Sequence, residues 1–196
     1  MGLSTVTCAR SIMDALNGVS GKVSDLGDEV VSLDAIAAMP KDYDVAWATS
    51  YDAYALAGVI PGADVPVSDP SIIQSWFRNA MDGGFGTDFQ AILPSFAQMF
   101  TDYWSSVYVG GPETGSAPAH GGTEVLSVTS DAASKQPAFK AAILAYIAEY
   151  GSNLTTPYFE PFLNKIEEVV KTIIWTITEM LPGPPPAPGS FSENIS

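Results

Sequence analysis

Apolar residues recur every three or four positions along most of the chain, a spacing typical of helices that bury one face. It predicts five long helices, at residues 42–56, 71–81, 88–106, 136–150 and 157–181. The last has the longest apolar stripe, with these core candidates: Phe159, Phe162, Leu163, Ile166, Val169, Val170, Ile173 and Ile177. The pattern therefore predicts a mainly α protein built as a helical bundle.

The N-terminal segment has a different pattern. Two short helices, at 7–17 and 28–39, flank a Gly-containing stretch and end before Pro40. We expect residues 1–40 to form an N-terminal helical arm and residues 41–181 to form one mainly helical domain.

Two further segments contain turn and strand signals. Short apolar alternations on both sides of a loop rich in Gly and Pro predict a small β-hairpin near 107–129. Residues 182–196 contain five prolines, which cannot continue a helix, and are expected to form an extended Pro-rich C-terminal tail.

Aromatic side chains line one face of the predicted helix 42–56. Tyr43, Trp47, Tyr51 and Tyr54 follow each other at intervals of four, four and three residues. Tyr and Trp supply large contact areas with few rotatable bonds, so this row could bind a sugar or a subunit. Packing in the protein core explains the same spacing, and the sequence leaves both interpretations open.

Three other apolar residues are candidate contact points. In a helical 157–181, Trp175 would lie about 200° around the axis from Ile173, opposite the core stripe, and would need cover from the arm or from a neighbouring subunit. Phe191 and Ile195 would be apolar anchors that the extended tail carries to a neighbour.

Charge is sparse and strongly unbalanced. Charged residues make up 15% of the 196 residues, below the roughly 25% of a typical soluble domain, and the formal net charge is −14. This charge argues against direct binding to nucleic acids and to anionic membranes, which both attract clusters of Lys and Arg. The first residues do not resemble a secretory signal, and charges interrupt every apolar stretch before it could span a membrane.

Residues for catalysis are few. The chain has one cysteine, Cys8, and one histidine, His120, so a Cys–His nucleophile would need these two to meet. Phosphate-binding glycine motifs, a zinc-protease motif and a serine nucleophile elbow are all absent from the sequence. We expect no enzyme activity, no cofactor and no metal.

The segments of the second half follow a recognisable order. FAQMFTDYWSSVYVG runs into a Gly/Pro loop and is followed by EVLSVTSD, an Ala-rich helix and a long closing segment. This order resembles that of small virion structural proteins of tailed phages. The resemblance is one of layout over residues 85–181 and transfers no functional residue. It implies a capsid or tail subunit that assembles in the host cytoplasm and contacts other virion proteins and its own copies.

These observations support two hypotheses about function. The first is a structural subunit of a virion, which works through repeated protein–protein contacts as a homo-oligomer. The alternative is a freestanding acidic binding module that uses the aromatic row of Tyr43, Trp47, Tyr51 and Tyr54. Oligomeric state distinguishes the two.

Overall fold

The structure, a computed structural model, is mainly α-helical, as the apolar spacing predicted. It describes residues 3–20, 43–58, 68–81, 89–107, 120–151 and 156–195. Its elements in chain order are α1 Thr5–Ser20, α2 Tyr43–Leu56, α3 Ser71–Met81, α4 Phe89–Ser106, β1 Glu124–Ser130, α5 Gln136–Tyr150, α6 Thr156–Val170, β2 Ile174–Leu181 and β3 Ala187–Asn194. None of the helices in these stretches combines the length and apolar character that crossing a bilayer requires.

Helices α2 to α5 begin and end within one residue of their predicted limits, because local signals mark their ends. At the start of α3, the Asp69 carboxylate accepts a hydrogen bond from the backbone N–H of Ser71 at 3.0 Å. Gly151 ends α5 at a φ of 76°, a conformation that glycine adopts without steric cost, and its N–H bonds to the Ile147 carbonyl.

Each of the six α-helices in the described residues packs against its neighbours in the chain, and α6 packs back against α1. Helix α1 buries Cys8 and Ile12, and its Thr5 hydroxyl donates a hydrogen bond to Asn164 of α6. Helix α1 thus packs into the helical core through its first half, and its prediction as part of an arm is wrong. The apolar face of α1 is covered by α2 and α6 of the same chain. The second predicted helix, 28–39, lies outside the described residues.

The predicted helix 157–181 ends earlier than expected. Helix α6 stops at Val170, where the Thr172 hydroxyl bonds to the Val169 carbonyl at 2.7 Å, and β2 follows. Ile173 and Ile177 are four residues apart, a spacing that fits both a helix of period 3.6 and a strand of period two. The β-branched residues of this segment favour the strand.

The three strands form one antiparallel sheet in the order β1–β2–β3. Strand β1 confirms the second half of the predicted hairpin near 107–129, but its partner is β2, with Val128 opposite Ile177. Val107 instead follows the last turn of α4, where its N–H bonds to the Tyr103 carbonyl, and residues 108–119 lie outside the described part. In the described residues, β1 therefore pairs with a distant segment, and the rest of the predicted hairpin lies outside them.

The Pro-rich tail is extended, but it does not leave the domain. After the turn at 182–186, β3 pairs with β2 along its length, from Leu181 opposite Ala187 to Ile174 opposite Asn194. Proline cannot donate a backbone hydrogen bond, which is tolerated in an edge strand and at its first residues. Residues 187–194 are thus the third strand of the sheet.

Candidate functional site

The two faces of the sheet differ in chemistry. Along β2, Trp175, Ile177 and Glu179 are buried and define the inner face, which lies against the helical core. The residues between them define the outer face. Cross-strand partners share a face, so the register also assigns β1 and β3 residues to each side.

The outer face is rich in hydroxyl groups. Two successive rows across the three strands consist of Ser or Thr: Thr129, Thr176 and Ser192 in one, and Ser127, Thr178 and Ser190 in the other. The hydroxyls of Thr178 and Ser190 lie 3.1 Å apart. Within the described sheet, Glu124 at one end is the charged residue on this face. We call these six residues the hydroxyl face.

The edge of the inner face carries a cluster that we call the His120 clasp: His120, Glu179, Phe191 and Glu193. Nδ1 of His120 lies 3.1 Å from Glu179 and Nε2 lies 2.9 Å from Glu193, while the imidazole ring stacks on Phe191 at 4.0 Å. Glu179 is fully buried and also accepts backbone N–H groups of His120 and Gly122. The clasp thus joins the segment before β1 to both β2 and β3.

The close approach at Gly122 requires a residue without a side chain. A Cβ atom there would lie 2.7 Å from the Glu179 Cβ and 3.0 Å from the Met180 carbonyl oxygen. Gly122 therefore lets the backbone reach the buried carboxylate.

The carboxylates raise the pKa of His120. The hydrogen bond to Glu193 is the largest cause, followed by opposing desolvation, and Glu179 adds a further hydrogen bond and its charge. Because each ring nitrogen faces a carboxylate, the arrangement favours the doubly protonated ring, which donates to both.

The clasp is not arranged for metal binding or for proton abstraction. The two glutamates bind opposite nitrogens of one ring, so their oxygens do not converge on a common ion, and the described residues hold no cluster of three or more potential ligands placed around a metal. Neither ring nitrogen is left to take a proton from a substrate. Cys8 is not part of this cluster. Its thiol donates a hydrogen bond to the Ser50 carbonyl in the core, and burial raises the pKa of the thiol to about 12.

The aromatic row forms part of the core. Trp47, Tyr51 and Tyr54 are buried, and the Trp104 indole N–H donates to the Tyr51 hydroxyl at 3.0 Å. Trp47 stacks on Phe77 of α3 at 4.9 Å. The interpretation as an exposed docking face is therefore wrong for these three residues. The Tyr43 side chain lies outside the described part.

The other three predicted contact residues also pack within the chain. Trp175 is 1% exposed, because a strand places residues 173, 175 and 177 on the same side, whereas a helix would not. Ile195 is buried beside Gly58 at the end of α2, and Phe191 stacks on His120. Phe191 and Ile195 therefore anchor β3 to its own domain, and their prediction as anchors for a neighbour is wrong. Trp175, which was expected to need cover from the arm or from a neighbour, is covered within the sheet and core of its own chain.

Sequence reasoning noted His120 but missed Glu179 and Glu193 as its partners. A signal was present: these are the two charged residues between Thr172 and Ser196, in a segment otherwise free of charge. Charges that interrupt a strand-like segment often mark a specific interaction, but the sequence does not say which residue they meet.

Comparison with known proteins assigns no relative to this chain. No protein-family model matches it, and neither a curated protein nor a solved structure shows significant similarity to it.

Proposed function

We propose that this chain is a structural subunit that works through repeated contacts with its own copies, and that the assembly is a virion. The observation that carries the proposal is the hydroxyl face, an uncharged surface on a chain with a formal net charge of −14. Its occupant in the assembly is the same face of a second copy.

Charge favours this surface over the rest of the molecule. Copies with a net charge of −14 repel one another, and at physiological salt this repulsion acts over about 8 Å. Two uncharged faces can meet without bringing carboxylates together. Ser and Thr hydroxyls each donate and accept hydrogen bonds, so a face built from them is complementary to itself in a twofold contact.

The size of the face predicts a weak contact. The three strands have seven or eight residues each, so the whole outer side of the sheet covers about 26 Å by 14 Å, or roughly 400 Å², at the usual strand rise and spacing, and the hydroxyl face is part of it. A stable interface takes about 800 Å² from each partner. A single contact is therefore weak, and repetition within an ordered assembly makes it effective.

The aromatic row no longer supports the alternative of a freestanding binding module, because three of its four side chains are buried. The layout resemblance to small virion proteins, the sparse charge and the self-complementary sheet face remain as support for the structural subunit. The buried Trp175 and the paired tail are no longer part of that support.

Two charge variants at Ser192, an exposed residue in the middle of β3, test the proposed contact. We expect Ser192→Asp and Ser192→Lys both to weaken self-association in sedimentation at high protein concentration, since either charge would lose water in a neutral contact. The matched control is Ala145→Asp on the exposed surface of α5, which should associate like the unmodified chain.

Both Ser192 variants must melt near the temperature of the unmodified chain, so that loss of association is not loss of folding. Unchanged association in both would overturn the role of the hydroxyl face. Strengthening by Lys combined with weakening by Asp would overturn the proposed pairing of like faces, because it would place the hydroxyl face against an acidic surface of the second copy.

A further inference from the structure

We propose that His120 is a proton-dependent latch, which fastens residues 120–123 to β3 and loosens this attachment when the ring loses a proton. The latch is the His120 clasp defined above. The inference concerns contacts within one chain and does not depend on self-association.

The geometry determines which contact is lost. A protonated ring donates from Nδ1 to Glu179 and from Nε2 to Glu193, at 3.1 and 2.9 Å. A neutral ring carries a single N–H, so one carboxylate then faces a nitrogen lone pair.

The two carboxylates differ in how easily each can give up its contact with the His120 ring and be solvated by water. Glu179 is fully buried and held by backbone N–H groups of His120 and Gly122, so it cannot turn to water without losing those bonds. The Glu193 side chain is 31% exposed and can be solvated. We therefore expect the remaining proton to stay on Nδ1, toward Glu179, and the contact with Glu193 on β3 to open.

The charged groups of the described elements that contact the ring are these two carboxylates, from β2 and β3, while Phe191 covers one ring face. Because they raise the pKa of His120, the protonated ring stabilises the folded state. This contribution is complete below about pH 6.5, the ordinary histidine value, and is lost as the pH rises through the higher folded-state pKa. The attachment of β3 should therefore weaken toward alkaline pH.

The chain has one histidine, so its ring resonance in a proton NMR titration reports the latch without ambiguity. We expect a pKa above about 6.5 in the unmodified chain and a lower one in Glu193→Gln, which removes the charge at Nε2. The matched control is Glu149→Gln. Glu149 is exposed and its carboxylate lies 3.8 Å from the Lys165 ammonium, so this change should leave the His120 titration unchanged.

Hydrogen exchange measures the consequence in the strand. After correction for the intrinsic effect of pH, protection of the β3 amides should fall several-fold between pH 6 and pH 9 in the unmodified chain and stay constant in His120→Gln. A histidine pKa at or below about 6.5, or equal β3 protection at both pH values in the unmodified chain, would overturn the latch. If His120→Gln fails to fold, the ring titration and the β3 protection of the unmodified chain still test the latch, because either can give the result that overturns it.

Discussion

Two carboxylates are fully buried among the described residues, and each is compensated in a different way. Glu179 meets His120 and two backbone donors, whereas Asp44 near the start of α2 pairs with the Arg78 guanidinium at 2.8 Å. The Arg78 side chain is largely exposed, so in this ion pair the carboxylate is buried and the guanidinium is in contact with water. A carboxylate buried in this way costs free energy unless a cation stays beside it.

Replacing Arg78 by Met should therefore destabilise the protein more than an ordinary surface change. Exposed ion pairs contribute about 0–1 kcal/mol and breaking fully buried ones costs about 3–5 kcal/mol, so we expect a loss of about 2 kcal/mol in the free energy of unfolding. Urea denaturation measures this value. Lys165→Met, at the exposed pair with Glu149, is the control and should lose less than about 1 kcal/mol.

Adding Asp44→Asn to Arg78→Met tests whether the buried Asp44 charge causes this loss of stability. In the double variant the buried charge is gone, and most of the lost stability should return. If Arg78→Met and Lys165→Met cost the same, Asp44 does not depend on Arg78.

At the scale of elements, β3 joins the end of the chain to the helical core. Ile195, just after the strand, is 3% exposed, and a Cβ added at Gly58 would lie 2.4 Å from its Cδ1 atom. Burying this side chain removes apolar area from water and holds the edge strand against the end of α2.

We expect Ile195→Ala to lower the free energy of unfolding by about 2–5 kcal/mol, the range for a buried aliphatic side chain replaced by Ala. Thermal denaturation followed by circular dichroism checks this. Ser190→Ala, on the exposed side of the same strand, should change stability by less than about 0.5 kcal/mol. Equal melting temperatures for Ile195→Ala and the unmodified chain would mean that β3 does not contribute to the fold.

The helices could be predicted because local residues mark their ends. The sheet could not be predicted because its strands pair across long stretches of sequence. Asp69 and Pro70 mark the start of α3 within the sequence itself, and Gly151 marks the end of α5. The pairing of β1 with β2 joins residues about fifty positions apart, which no local pattern encodes.

The same limit applied to the site. His120 was conspicuous as the one histidine, but Glu179 and Glu193 reach it through β2 and β3, elements that the helical spacing of Ile173 and Ile177 concealed. Once β2 is a strand, the burial of Trp175 follows from its position between those isoleucines.

For the whole molecule, sparse charge and a net charge of −14 set the conditions of association. A contact between uncharged faces gains no attraction from ion pairs, while the rest of each copy repels the other. Added salt screens the repulsion and leaves the contact intact, so association should strengthen with salt. A contact made by salt bridges would weaken under the same change.

Light scattering of the purified chain over a range of concentrations, at low and at high salt, tests the central claim most directly. We predict that the mean mass rises above the 20.6 kDa of one copy as concentration increases, and that it rises further at high salt. A mass that stays at 20.6 kDa at every concentration and in both salts would contradict a self-associating structural subunit.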